Sequence, residues 1–179
     1  MESGITQPFH PSHRAVHERL GRNLLVYQQI EQSLKLLVPY THADGSKSGE
    51  SALARMRRDI DGKSLGPVIQ LFKESLAHDK PEDAALFEEA LARILESRNE
   101  MAHRFLLTPG IDLKTEAGCK RAAQWLDDRY KEAHSVAVLV LANGLVLASA
   151  LGAITEEEAK HAFEVMGGQL EIVEEPGDS

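Results

Sequence analysis

Cysteine is almost missing from this chain of 179 residues, in which Cys119 is the only one. A disulfide within the chain is therefore excluded, and the composition fits a reducing compartment. The first residues also lack the succession of basic, apolar and small residues that marks a cleaved secretory signal. We therefore expect a cytoplasmic protein.

Basic residues are in deficit, since 20 Lys and Arg stand against 28 Asp and Glu, for a formal net charge of −8. This balance argues against a protein that coats nucleic acid through a basic surface, although an RNA enzyme with a local basic cleft stays compatible with it. The densest basic cluster holds Arg55, Arg57 and Arg58. It is a candidate RNA-contacting patch, and a solvated helix face is the alternative.

Strand patterns are also missing, unless the short segment Leu170 to Val173 pairs with another part of the chain. Apolar residues instead recur every three or four positions, which predicts an all-α bundle of five or six helices. The length suits one domain. We divide the chain into a flexible lead-in (1–12), a single helical domain (13–166) and an acidic tail (167–179).

The predicted helices follow from this periodicity and from residues that begin or end helices. The first runs from His13 to Val38, capped by Ser12 and stopped by Pro39. The others run from Ser51 to about Ile60, from Leu65 to about Ala77 behind Ser64, from Pro81 to Leu106 behind Asp79, from Thr115 onward, and from Thr155, with Glu156, Glu157 and Glu158 in the first turn of the last helix.

The long helix after Thr115 contains a stretch without charge, Ser135 to Ile154, which is long enough for a membrane span. Asn143, Ser149 and the absence of a flanking basic cluster argue against a span. A helix that is apolar all round can also pack on its own domain with one face and on a partner subunit with the other. We therefore predict a homodimer, with membrane association as the alternative.

The helix after Pro81 carries one charged residue, Arg98, inside its apolar stripe. A guanidinium there is disfavoured unless it is paired or faces a groove. A carboxylate partner along the apolar surface is the ordinary explanation. The predicted stripe consists of Phe87, Leu91, Ile94, Met101, Ala102 and Phe105.

The neighbours of Arg98 suggest a different role. Asn99 follows it directly, and His103 comes after four intervening residues. This pattern resembles the motif of the HEPN superfamily of all-helical ribonucleases, in which Arg is followed by a polar residue and by His four to six residues on. The resemblance also extends loosely to the helical layout. It implies a metal-independent endoribonuclease that needs no cofactor, attacks with the 2′-hydroxyl and leaves 2′,3′-cyclic phosphate and 5′-hydroxyl ends.

Such a reaction needs proton transfer and stabilisation of negative charge on the phosphorane. Imidazole suits proton transfer because its unperturbed pKa lies near neutrality. Guanidinium suits the charge because its forked donors match two phosphate oxygens. We therefore assign His103 as the proton-transfer residue, Arg98 as the phosphate clamp and Asn99 as the residue that positions the phosphate or the ring, with Arg104 as a further RNA contact.

A metal site is not expected. His10, His13 and His17 cluster near the first helix, and the last two are one turn apart, a spacing that lets two imidazoles share a metal. No carboxylate or thiolate pattern completes the set.

The motif has one geometric difficulty, because Arg98 and His103 diverge by about 140° around a straight helix. In the family this is met by a dimer whose two motifs face a shared groove. The family includes defence effectors and toxins, some silenced by a partner that modifies a tyrosine two residues after the His. Phe105 stands there, so an antitoxin or inhibitor protein would act by another route. The competing hypothesis is a non-catalytic helical module for dimerisation or for RNA or protein binding.

Overall fold

The structure, a computed structural model, describes residues 10–42, 44, 49–75 and 81–171. These residues form a helical bundle without strands, so the predicted all-α class is confirmed. A short 3₁₀ helix, Phe105–Leu107, precedes the longest α-helix. The α-helices are α1 (His13–Thr41), α2 (Gly49–Asp61), α3 (Leu65–Ser75), α4 (Pro81–His103), α5 (Glu116–Ala150) and α6 (Glu156–Glu171).

Helices α1 and α5 form the centre of the bundle and run in the same direction. They start at the same end, where the His10 N–H donates to the Leu113 carbonyl at 2.9 Å. Further along, the Asn23 amide reaches the Leu126 carbonyl at 3.0 Å, and Leu37 lies beside Gly144. The facing stripes are fully buried, at Val16, Ile30 and Leu34 on α1 and at Ala122, Leu126, Ala133 and Val140 on α5.

Helix α4 runs opposite to α1 and returns the chain to the end where α5 begins. Its first half packs on α3, with the Phe87 ring 5.9 Å from that of Phe72. Beyond its end, the Phe105 ring lies 5.8 Å from that of Trp125 on α5. The motif therefore lies at the α5-start end of the bundle.

Two predicted details of α1 are wrong. Pro39 lies inside the helix, which continues to Thr41. Val38 and Pro39 are buried in the core, so packing holds this last turn although proline supplies no N–H. Ser12 stands at the N-cap position but makes no cap hydrogen bond through its side chain; the His10 carbonyl accepts the His13 N–H instead.

The predicted cap of the last helix, Thr155, is confirmed, and Thr115 caps the helix that was predicted to begin there. The Thr115 hydroxyl accepts the Gly118 N–H at 3.0 Å. At the start of α6 the Thr155 hydroxyl accepts the Glu158 N–H at 3.1 Å, and the Glu158 carboxylate accepts the Thr155 N–H at 2.8 Å. This reciprocal pair satisfies two N–H groups at the helix start.

Some predicted features lie partly or wholly outside the described residues. Asp79 and Ala77 lie outside the described residues, as do residues 1–9 of the lead-in. Helix α6 continues to Glu171, into the segment assigned to the tail, and therefore includes the first half of the short segment Leu170 to Val173. Residues 172–179 lie outside the description.

Candidate functional site

Arg98 is half-buried at the edge of the core, and its guanidinium is held by a neutral neighbour. Its Nη1 donates to the Asn99 side-chain oxygen at 3.0 Å. Among the residues that the structure describes, no carboxylate forms an ion pair with it. The charge of Arg98 is therefore not neutralised by the ordinary partner that the sequence suggested.

His103 is the last residue of α4 and is exposed. Arg104, also exposed, keeps one helical hydrogen bond to the Glu100 carbonyl at 2.7 Å before the chain enters the 3₁₀ helix. Ala102 is exposed too, so its predicted place in the apolar stripe is wrong. It lies about 100° around the helix from buried Met101, and Phe105 covers the core beyond it.

The inner face of the motif is polar where it meets α1 and α5. Ser97 is 5% exposed and lies close enough to Tyr27 for its hydroxyl to affect that phenol. Burial raises the pKa of Tyr27 to about 12, against the opposing influence of Ser97 and of Arg129. The Tyr27 phenol therefore keeps its proton to a higher pH than an exposed tyrosine does.

Arg129 on α5 ties the motif helix to its neighbour. Its guanidinium lies 3.8 Å from the Glu100 carboxylate and 3.3 Å from that of Glu132, and it covers the Trp125 ring at 5.1 Å. Glu100 thus reaches toward α5. Sequence reasoning missed Arg129, because only the packing of the helices shows which charges face each other.

A second set of polar contacts fixes α1 against α5. Asn23 is fully buried and donates to the Arg19 and Leu126 carbonyls. Asp127 accepts from Arg19 at 3.0 Å and from Arg22 at 2.6 Å. The signal for Asn23 was available, since it lies one turn before Tyr27 on the apolar stripe of α1 and a polar residue there requires a partner.

The hydrogen bond between Arg98 and Asn99 reduces the divergence of the motif. Asn99 lies about 100° from Arg98 and only about 40° from His103 around the helix. A guanidinium held against Asn99 is therefore turned toward the His103 side. A ligand over Asn99 would lie between a cation and an imidazole.

The basic cluster is not part of this arrangement. Arg55 and Arg58 are exposed on α2, and Arg57 hydrogen-bonds the Tyr40 hydroxyl and covers its ring at 5.0 Å. Tyr40 lies thirteen residues beyond Tyr27 on α1, about 20 Å along the axis. The structure therefore separates these arginines from the motif by about 20 Å along α1.

The three histidines near the start of α1 are neighbours. The rings of His13 and His17 meet edge to face at 5.0 Å, and His13 Nδ1 lies 2.7 Å from the His10 carbonyl oxygen. In the described part of the chain, no group of three or more His, Cys, Asp or Glu side chains is arranged to hold a metal ion.

Helix α5 is long and apolar enough to cross a membrane by length and composition, with 22% of its most apolar window buried in the bundle. Core helices of soluble proteins meet the same criteria of length and composition.

Comparison of the chain with protein-family models, with curated proteins and with solved structures finds no match. A function for this chain is therefore inferred from the side chains of Arg98, Asn99 and His103.

Proposed function

We propose that this protein is a metal-independent endoribonuclease that cleaves RNA by attack of the 2′-hydroxyl. The observation that supports it most is the state of Arg98, whose guanidinium donates to the Asn99 side-chain oxygen and forms no ion pair with a carboxylate of the described residues. An unneutralised, half-buried guanidinium beside an exposed imidazole suits a phosphodiester. The resemblance of the motif to HEPN ribonucleases points the same way.

In this proposal the phosphate binds over Asn99. The 2′-oxygen attacks phosphorus, the bond from phosphorus to the 5′-oxygen breaks, and the products are a 2′,3′-cyclic phosphate and a 5′-hydroxyl. The attacking oxygen loses a proton and the leaving oxygen gains one. His103 carries one of these transfers and water the other. Arg98 stabilises the charge that develops on the phosphorane.

The proposal includes a homodimer and an RNA substrate. A shared groove between two motifs, as the resemblance implies, would allow His103 of one copy to act with Arg98 of the other. Mixing Arg98→Ala with His103→Ala protein tests this, because mixed dimers recover activity only if the site is composite. An antitoxin or inhibitor would act by covering the exposed His103 side, since Phe105 is buried against Trp125 and has no hydroxyl.

The test compares variants on a mixed RNA pool in the presence of a chelator. Arg98→Lys keeps the charge but loses the forked donors, and His103→Ala removes the imidazole. We expect cleavage to fall by about 10²-fold to 10³-fold in each, with RNA affinity little changed. Arg93→Ala is the matched control, because Arg93 is an exposed arginine on the same helix that pairs with Glu89 at 2.7 Å. Its cleavage rate should equal that of the wild type.

Two outcomes would contradict the proposed ribonuclease activity. Equal cleavage by all variants would assign the activity to a contaminant. A lower melting temperature for Arg98→Lys with unchanged cleavage per folded molecule would make Arg98 a structural residue. The second candidate, a non-catalytic association module, would then gain support from the exposed apolar half of α5.

A further inference from the structure

The second half of α5 and the start of α6 enclose an apolar groove that no other described helix covers. The groove has a volume of about 610 Å³. Val146 and Phe163 line it and remain 69% and 37% exposed. Small side chains at Ala142, Ser149 and Ala150 form its floor. Exposed apolar patches of this kind mark interaction sites.

A bilayer is a poor occupant of this groove. Helix α6 packs along the outer face of the apolar stretch, and its residues Glu156 and Lys160 line the same groove. Glu157, Glu158 and Glu164 on that helix are exposed as well. Insertion of α5 would carry part of this charged helix into hydrocarbon, which is costly. A protein surface tolerates charges at the rim of an apolar contact.

We propose that the groove binds a second copy of this chain. Its lining contains one acid and one base, Glu156 and Lys160, and neither forms an ion pair with another described residue. A two-fold axis that passes between Glu156 and Lys160 would place Glu156 of one copy opposite Lys160 of the other, so the surface can complement itself. An interface of this kind uses the same patch on both subunits.

The size of the surface approaches that of a stable dimer interface. The uncharged half of α5 is about 24 Å long, the part of α6 from Glu156 to Glu164 is about 13 Å long, and each helix is about 10 Å wide. Their shared face measures about 370 Å² in projection. Side chains corrugate it, which makes its accessible area larger and brings it nearer to the about 800 Å² per partner of a stable interface.

This interface lies far from the motif. Val146 follows Trp125 by twenty-one residues of α5, about 30 Å along the helix, and Trp125 contacts Phe105 beside the motif. A dimer formed here leaves both His103 side chains open to solvent and does not bring two motifs to a shared groove, which would need a separate contact between copies. The proposed interface and the ribonuclease chemistry can therefore fail separately, because no residue of the groove belongs to the motif.

Sedimentation velocity of the full chain tests the proposal. We expect the wild type to be a dimer at micromolar concentration without detergent. Val146→Glu and Phe163→Ala should each weaken the dimer by roughly tenfold to a hundredfold, with unchanged helical circular dichroism. Leu107→Glu is the control, since Leu107 is 78% exposed in the 3₁₀ helix away from the groove, and it should remain dimeric.

A charge exchange sharpens the test. Lys160→Glu alone should weaken the dimer, because two acids would then face the partner's acids, and the double variant Glu156→Lys with Lys160→Glu should restore it. A monomeric wild type, or a dimer weakened equally by Leu107→Glu, would overturn the proposal. Cosedimentation of the wild type with phosphatidylcholine vesicles, lost in Val146→Glu, would overturn it in favour of a membrane.

Discussion

The two halves of α5 differ in how they are held. The first half makes directed contacts, through Leu126 to Asn23, Asp127 to two arginines of α1, and Arg129 to Glu100 of the motif helix. The second half is apolar, with Leu139 and Val146 exposed and Leu151 exposed just beyond its end. The first half is therefore held by hydrogen bonds and ion pairs, whereas the second half leaves apolar side chains accessible.

This difference separates two tasks along a single helix. Hydrogen bonds and ion pairs depend strongly on distance and angle, so the first half fixes the position of α4 and its motif. Apolar burial is non-directional and scales with area, so the second half suits association. The motif and the proposed association surface thereby lie about 30 Å apart along α5.

The largest expected difference between the halves is in stability. Leu126→Ala removes a fully buried side chain and should cost about 2 to 5 kcal/mol, because the well-packed surroundings close only part of the cavity. Leu139→Ala, at a side chain 46% exposed, should cost no more than about 0.5 kcal/mol. Urea unfolding of both changes in the Val146→Glu background measures this without a contribution from association. Equal losses would show that the second half is as firmly packed as the first.

A second prediction concerns Tyr27, whose buried hydroxyl has no hydrogen-bond partner among the described residues. Because the pKa of Tyr27 is raised from 10.0 to about 12, the folded protein keeps this proton in a range of pH where the unfolded chain loses it. Its contribution is therefore complete below pH 10 and is lost as the pH rises toward 12. The raised pKa corresponds to about 2 to 3 kcal/mol over this window.

Urea unfolding across this pH range measures the effect. Tyr27→Phe should lose less stability than the wild type between these two values, since it has no phenol to ionise. Tyr130→Phe serves as a second case, because burial raises the pKa of Tyr130 while the neighbouring Arg22 opposes it, and it should change the stability in the same direction as Tyr27→Phe. If wild type and Tyr27→Phe lose stability equally, the phenol is not held neutral by its site.

The helices were predictable because apolar periodicity and caps are local signals. The helix predicted from Thr115 begins there, Thr155 caps as predicted, and the buried residues of α1 follow its apolar period. The end of α1 was not predictable, since the burial of Pro39 depends on helices distant in sequence. The contact of Arg129 with Glu100 was not predictable for the same reason. For Arg98 the sequence allowed two explanations, an ion pair with a carboxylate or a position that faces a groove. Only the folded structure shows that its guanidinium hydrogen-bonds Asn99.

The smallest expected effect concerns α6, which contributes one wall of the groove and is held at its start by the reciprocal contact of Thr155 and Glu158. Thr155→Ala removes the hydroxyl that accepts the Glu158 N–H and should cost about 1 kcal/mol of local stability. Hydrogen exchange in the first turn of α6 should quicken, and the dimer should weaken, because the wall that carries Lys160 frays.

Thr155→Ser keeps the hydroxyl and should behave as the wild type. The Thr155 N–H and hydroxyl also hold the pKa of Glu158 below its ordinary value. The contribution of this carboxylate is therefore present above its unfolded pKa and disappears as the pH falls through the folded one. Thr155→Ala should accordingly show a smaller loss of α6 protection on acidification than Thr155→Ser. If the two variants lose protection equally, α6 is held by its packing on α5 and not by its cap, and the second half of α5 is less open than its exposed side chains indicate.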